Sequence, residues 1–191
     1  KIREVFLIPI KELAGIHMKK KFEAIYPLAP VQQGMLLQSL RQKSSAAGNQ
    51  PDAPLYIEQL VTILHGPLNF AALQEAWHHL MNRHPILKTA IAWKEQSEPL
   101  QIVVGELAPP IIYEDYRALS EQQQQQSIEQ FLQQDRSHAF DFTQPPLFRI
   151  HLFHVAEDEC YMVWTSHHLL VDGWSYTIVL QDLLHAYDRL S

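Results

Sequence analysis

Two β-rich runs, Leu147–Val155 and Cys160–His167, are joined only by Ala156-Glu157-Asp158-Glu159, and this link constrains the fold more than any other feature. Parallel pairing needs a crossover of a dozen or more residues, so a link this short predicts an antiparallel hairpin. Helical and strand-like patterns alternate around it. Leu55–Leu64 is β-rich and loosely alternating, as in a strand covered on both faces for part of its length. Asn69 is a credible N-cap for a helix with the stripe Ala72, Leu73, Ala76, Trp77 and Leu80, and Pro85 disfavours helical geometry at His84. Strands are expected at Thr89–Trp93 and Leu100–Val104. Ser120 and Gln123 have capping-box spacing before a second helix carrying Ile128, Phe131 and Leu132. Pro30 opens an earlier helix (Val31, Met35, Leu36, Ser39, Leu40), which a Gly/Pro/Ser-rich loop at 43–54 follows. Ser175–Leu190 reads as a final helix with the stripe Ile178, Val179, Leu183, Ala186, Tyr187 and Leu190. The order is mixed α/β, hairpins alternating with packed helices.

A chain of 191 residues has room for one domain, or for one lobe of something larger. With 47% apolar and 19% charged residues, 6 glycines and 12 prolines, it is neither collagen-like, disordered nor coiled-coil in composition. A net charge of −6 argues against a nucleic-acid partner. The single cysteine, Cys160, allows no internal disulfide and no C-x-x-C metal site, which fits a reducing compartment. No apolar run approaches the length of a membrane span, and the start lacks a tripartite signal-peptide shape. A soluble, cytoplasmic protein is expected. Residues 1–21 carry a net +4 against −10 for the remainder. They are read as a basic linker or lead-in segment, because no period is sustained in them, and residues 22–191 as the folded unit.

Unusual chemistry concentrates at Ser166-His167-His168-Leu169-Leu170-Val171-Asp172-Gly173-Trp174-Ser175. Strand alternation sends Met162, Trp164, Ser166 and His168 to one side and Tyr161, Val163, Thr165 and His167 to the other. One reactive and one structural histidine are therefore expected. A neutral imidazole suits proton transfer at pH 7, but such a base needs an orienter. Asp172 can reach back across the turn, or it can bind an arginine and brace the loop. Ser166 and Ser175 are nucleophile candidates by proximity only, so direct attack by a bound substrate is favoured over a covalent intermediate. A metal site is not expected: His78, His79 and His84 have no recognisable ligand spacing, and His151 and His154 fall on opposite strand faces.

His167-His168-Leu169-Leu170-Val171-Asp172-Gly173 resembles the HHxxxDG signature of condensation domains of nonribosomal peptide synthetases. Tyr26–Leu40 resembles their first core motif, and Arg83–Thr89 their second, with Lys88 where an arginine is usual. The stretch around Asp141-Phe142 and Pro145–Arg149 is similar to one common before the hairpin. The resemblance implies a chloramphenicol acetyltransferase-like α/β sandwich, a mixed sheet packed by helices. It implies the N-terminal lobe of a two-lobed domain whose C-terminal lobe is absent. By that likeness His168 and Gly173 are catalytic, His167, Asp172 and Arg83 support the site, and Trp174 and Ser175 face the substrate channel. Asp172 would brace the site through an arginine, with Arg83 or a residue of the other lobe as its partner, or through backbone amides of its own loop. The implied activity is peptide-bond formation between peptidyl and aminoacyl thioesters on 4'-phosphopantetheine arms of carrier domains, beside an adenylation domain, with no cofactor bound directly. Epimerisation, a stand-alone HHxxxDG acyltransferase and an inactive docking or packing lobe are the alternatives. An isolated lobe is expected to self-associate through apolar cleft surface near Trp174.

Overall fold

The computed structural model describes residues 22–45, 53–94 and 97–191. The basic segment 1–21 lies outside the described residues, as does most of the expected loop at 43–54. In order the elements are β1 (Phe22–Pro27), α1 (Pro30–Ser45), β2 (Ile57–His65), α2 (Phe70–Arg83), a 3-10 turn (Pro85–Lys88), β3 (Thr89–Ala92), β4 (Leu100–Val104), β5 (Ile111–Asp115), α3 (Glu121–Arg136), β6 (Phe148–Ala156), β7 (Glu159–His167) and α4 (Gly173–Leu190).

The strands form two sheets, one ordered β1-β4-β3 and a larger one ordered β2-β7-β6-β5. The expected hairpin is the antiparallel pair β6–β7, and β2 pairs antiparallel with the other edge of β7. Strand β7 is thus interior. Strand β5, unanticipated from the sequence, lies parallel to β6 at the sheet edge. Its two isoleucines are adjacent rather than alternating, and its burial is weak on both faces, so it has little of the period-2 signal.

Alternation along β7 divides the core. Met162 and Trp164 join Ile150 and Leu152 of β6 in the main cluster, with Leu73, Trp77 and Leu80 of α2 and Val179 and Leu183 of α4. Val163 turns to the opposite face, where it packs with Phe153 and with Ile128 of α3. Trp77 meets Trp164 edge-on at 5.3 Å between centroids. Helices therefore cover both faces of the larger sheet, which is why β7 reads as an almost continuous apolar run.

Helix starts follow the local chemistry. The Asn69 side chain accepts the Ala72 amide at 3.1 Å, and the Ser120–Gln123 capping box forms with both reciprocal bonds. α4 begins at Gly173, two residues earlier than its apolar stripe suggested, because Asp172 caps it. Of that stripe Val179, Leu183 and Ala186 are buried, whereas Ile178 is 56% exposed. Among the described side chains of α1 only Leu36 is buried, and Val31 faces solvent. Gly34 has no neighbour within 4 Å of a built Cβ, so it marks no close approach. Lys88 is buried, and its ammonium reaches both carboxylate oxygens of Glu23 at 3.0 and 3.1 Å and Asn82 Oδ1 at 3.2 Å. A lysine at this position still ties the second motif to β1.

Candidate active site

The end of β7 is held from both sides. His167 donates its amide to the Leu147 carbonyl at 3.1 Å, and the His168 amide donates to the Tyr56 carbonyl at 2.9 Å. Tyr56 adopts φ 62°, the left-handed region, which costs a non-glycine residue roughly 1–3 kcal/mol. That strained turn starts β2 in the register that places Ile57 opposite His167 and Glu58 opposite Ser166. Gln32, within the first motif, donates to the Leu169 carbonyl at 3.0 Å and so brings α1 against the histidine loop.

The two histidines meet different surroundings. His167 is buried, and its Nδ1 accepts the Leu169 amide at 3.1 Å. The proton of the neutral ring then sits on Nε2, 3.4 Å from Ser39 Oγ. Burial, with a smaller contribution from His168, pushes this imidazole down to about 4, so it is neutral at pH 7. Phe142 packs edge-on against it at 4.9 Å between centroids. His167 also lines an apolar cavity of about 320 Å³ with Ser39, Lys43, Leu55 and Phe140.

His168 lies just beyond the strand, with a side chain 28% exposed. Its Nδ1 stands 3.0 Å from Glu58 Oε1, at ion-pair distance. The nitrogen is closed to solvent and has no aligned hydrogen-bond partner, so the contact is electrostatic rather than a directed hydrogen bond. Nearby, Ser166 Oγ and the Tyr176 hydroxyl share a hydrogen bond. Burial, reinforced by the Glu58 carboxylate, pushes the Tyr176 phenol up to about 12. Glu58, Gly173, Tyr176, Thr177 and Leu180 border an open groove along the start of α4.

The other candidates divide. Asp172 does not pair with Arg83. Its carboxylate accepts the Ser175 amide at 2.8 Å and the Ser175 hydroxyl at 2.7 Å, and those bonds hold it below the usual carboxylate range. Arg83 instead donates to Asp182 at 2.8 Å, and His84 Nε2 lies 2.7 Å from the same oxygen. Asp182 lies ten residues, about 15 Å, along α4 from Asp172, so Arg83 braces two helices away from the histidines. A Cβ on Gly173 would meet nothing within 4 Å, and its φ is not left-handed. Among the described residues, neither packing nor backbone demands a glycine there. Trp174 is 85% exposed. Ser166 is buried on Tyr176 and Ser175 is engaged by Asp172, so neither hydroxyl is free to attack. No three His, Cys, Asp or Glu side chains gather as metal ligands among the described residues.

Sequence reasoning missed Glu58, Tyr176 and a buried carboxylate, Asp135. One signal was available: Glu58-Gln59 sets two adjacent polar residues into a mostly apolar strand at its half-buried end.

Residues 22–191 match the family described as the Condensation domain. A linear gramicidin synthase chain of Brevibacillus parabrevis is 35% identical over 169 residues, covering 88% of this chain and 3% of that protein. Bacitracin synthase 3 of Bacillus licheniformis is 32% identical over 183 residues, 94% of this chain and 3% of that one. Among solved structures, the starter condensation domain of rhizomide synthetase superposes with a TM-score of 0.72 at 21% identity, over 87% of this chain and 39% of that one. A holo four-domain nonribosomal peptide synthetase bound to AMP and glycine gives 0.71 at 22% identity, over 89% and 12%. The likeness bears out the expected chloramphenicol acetyltransferase-like α/β architecture, and the chain spans only a small part of the synthetases it matches. With its family match running from the first described strand to the end of α4, the chain belongs to the condensation-domain family of nonribosomal peptide synthetases.

Proposed function

We propose that residues 22–191 form the histidine-bearing N-terminal lobe of a domain that joins two carrier-bound thioesters. The α-amine of an acceptor aminoacyl thioester attacks the carbonyl of a donor aminoacyl or peptidyl thioester. The C–N bond forms, the C–S bond breaks, and the donor's pantetheine thiol departs. His168 takes the proton from the amine and returns it to the leaving thiolate. Carrier domains deliver both substrates on 4'-phosphopantetheine arms, a second lobe closes the cleft, and an adenylation domain loads the acceptor. The observation that carries this reading is the asymmetry of the histidine pair. His167 is sealed in the core, whereas His168 keeps a partly exposed ring at the strand end. Gly173 offers one of the first, unpaired amides of α4 toward developing oxyanion charge. Asp172 braces the loop as a helix cap, and Trp174 and Ser175 stand at the channel wall.

The test uses the intact synthetase with two preloaded carrier domains, products followed by intact mass and Cα exchange followed in deuterated solvent. His168→Ala is expected to leave carrier loading untouched and to slow dipeptidyl-thioester formation about 10²-fold or more. Full dipeptide yield from that variant overturns the role of His168. Exchange without dipeptide means epimerisation, and transfer only from free coenzyme A thioesters means a stand-alone acyltransferase. The 191-residue chain alone is expected to show little transfer, since one lobe supplies only one wall of the cleft.

A further inference from the structure

We propose that Glu58 is the positioning residue for His168, holding the imidazole proton on Nδ1 and leaving Nε2 as the base. The inference rests on the reading of His168 given above. Register places Glu58 opposite Ser166 on the neighbouring strand. His168 follows two residues on, so all three lie on one face, and the diagonal distance is within reach of a glutamate.

Polar accounting at Nδ1 leaves one consistent state. This nitrogen is closed to solvent and has no aligned partner, while a carboxylate oxygen lies 3.0 Å away. A lone pair on Nδ1 would face the lone pairs of that oxygen. A proton there faces its charge, and a slight ring rotation converts the contact into a hydrogen bond. Nε2 then carries the lone pair at the edge of a ring still 28% exposed. Tyr176 borders the same groove as Glu58, and its bond to Ser166 fixes it beside the carboxylate. Asp172, the orienter suggested by spacing, has its carboxylate committed to Ser175.

The experiment measures kcat and carrier-domain KM for peptide-bond formation in the intact synthetase for Glu58→Gln, Glu58→Asp, His168→Ala and the double variant Glu58→Gln/His168→Ala. Thermal melting confirms the fold of each. Glu58→Gln is expected to lower kcat about 10-fold or more with KM unchanged. The loss falls short of the ~10⁴ that follows removal of a buried triad aspartate, because Glu58 is 39% exposed. Glu58→Asp, which keeps the carboxylate, restores part of the rate. In the His168→Ala background Glu58→Gln costs nothing further, since the positioned group is gone. Wild-type kcat in a folded Glu58→Gln, or the same fold-loss with and without His168, overturns the proposal while leaving His168 as base. An undiminished His168→Ala overturns the underlying reading instead. If Glu58→Gln fails to fold, Glu58→Asp alone and in the His168→Ala background decides by the same comparison.

Discussion

Adjacent histidines meet different surroundings here because a strand sends neighbouring side chains to opposite faces. His167 is held neutral by burial, with its ring lowered to about 4 against an ordinary value near 6.5. As pH falls, the unfolded chain takes up this proton first, so stability is lost between about pH 6.5 and pH 4 and no further below. The shift corresponds to at most about 3 kcal/mol. In denaturant titrations across that window, the wild-type chain should lose up to ~3 kcal/mol more than His167→Asn, whose side-chain oxygen can still accept the Leu169 amide. Identical pH slopes for the two proteins would show that His167 does not remain neutral in the fold. Asp172 makes a complementary point. Of the partners expected for it, an imidazole, an arginine or the amides of its own loop, it takes the last: the Ser175 amide and hydroxyl are its nearest donors, and a local cap forms.

At the level of elements, Asp135 joins the end of α3 to three strands. Its carboxylate accepts Gln59 Nε2 of β2 at 2.7 Å, Thr165 Oγ1 of β7 at 2.5 Å, and Arg149 Nε of β6. Burial alone would raise this carboxyl, but the hydrogen bonds outweigh it and the net shift is downward. Asp135→Ala takes the carboxylate from the half-buried Arg149 guanidinium and from the buried Thr165 hydroxyl, and should cost about 2 kcal/mol or more in urea unfolding. A loss under ~1 kcal/mol would mean that packing of Ile128, Phe131 and Leu132 alone docks α3. Gln59 and Thr165 flank Glu58 and Ser166, so the same network steadies the strands that carry the site. No sequence pattern announces it, because its members are spread over four elements.

Over the whole molecule, the described surface carries apolar groups that a self-contained unit usually covers. Trp174 and Ile178 are 85% and 56% exposed one turn apart on α4. Val61 and Ile63, each 42% exposed, lie on β2, the outermost strand of its sheet among the described residues. Exposed apolar patches and open strand edges favour association. Sedimentation velocity of the 191-residue chain should show oligomers growing with concentration, and Trp174→Glu should reduce them. A monomer at every concentration would exclude association through this surface. No described helix is long and apolar enough to cross a membrane.

What could be read from the residues was local. The hairpin, the Asn69 and Ser120 caps, the alternation along β7 and the division between His167 and His168 each depend on neighbours a few positions away, where backbone geometry dictates direction. Partnership was not legible. Glu58 reaches His168, Arg83 reaches Asp182 and β5 pairs with β6 only because distant segments fold side by side in one register. Chain spacing sets which way a side chain points. Which group it meets there depends on the non-local packing of sheets and helices, whose free energy is summed over the whole core rather than written in any one motif.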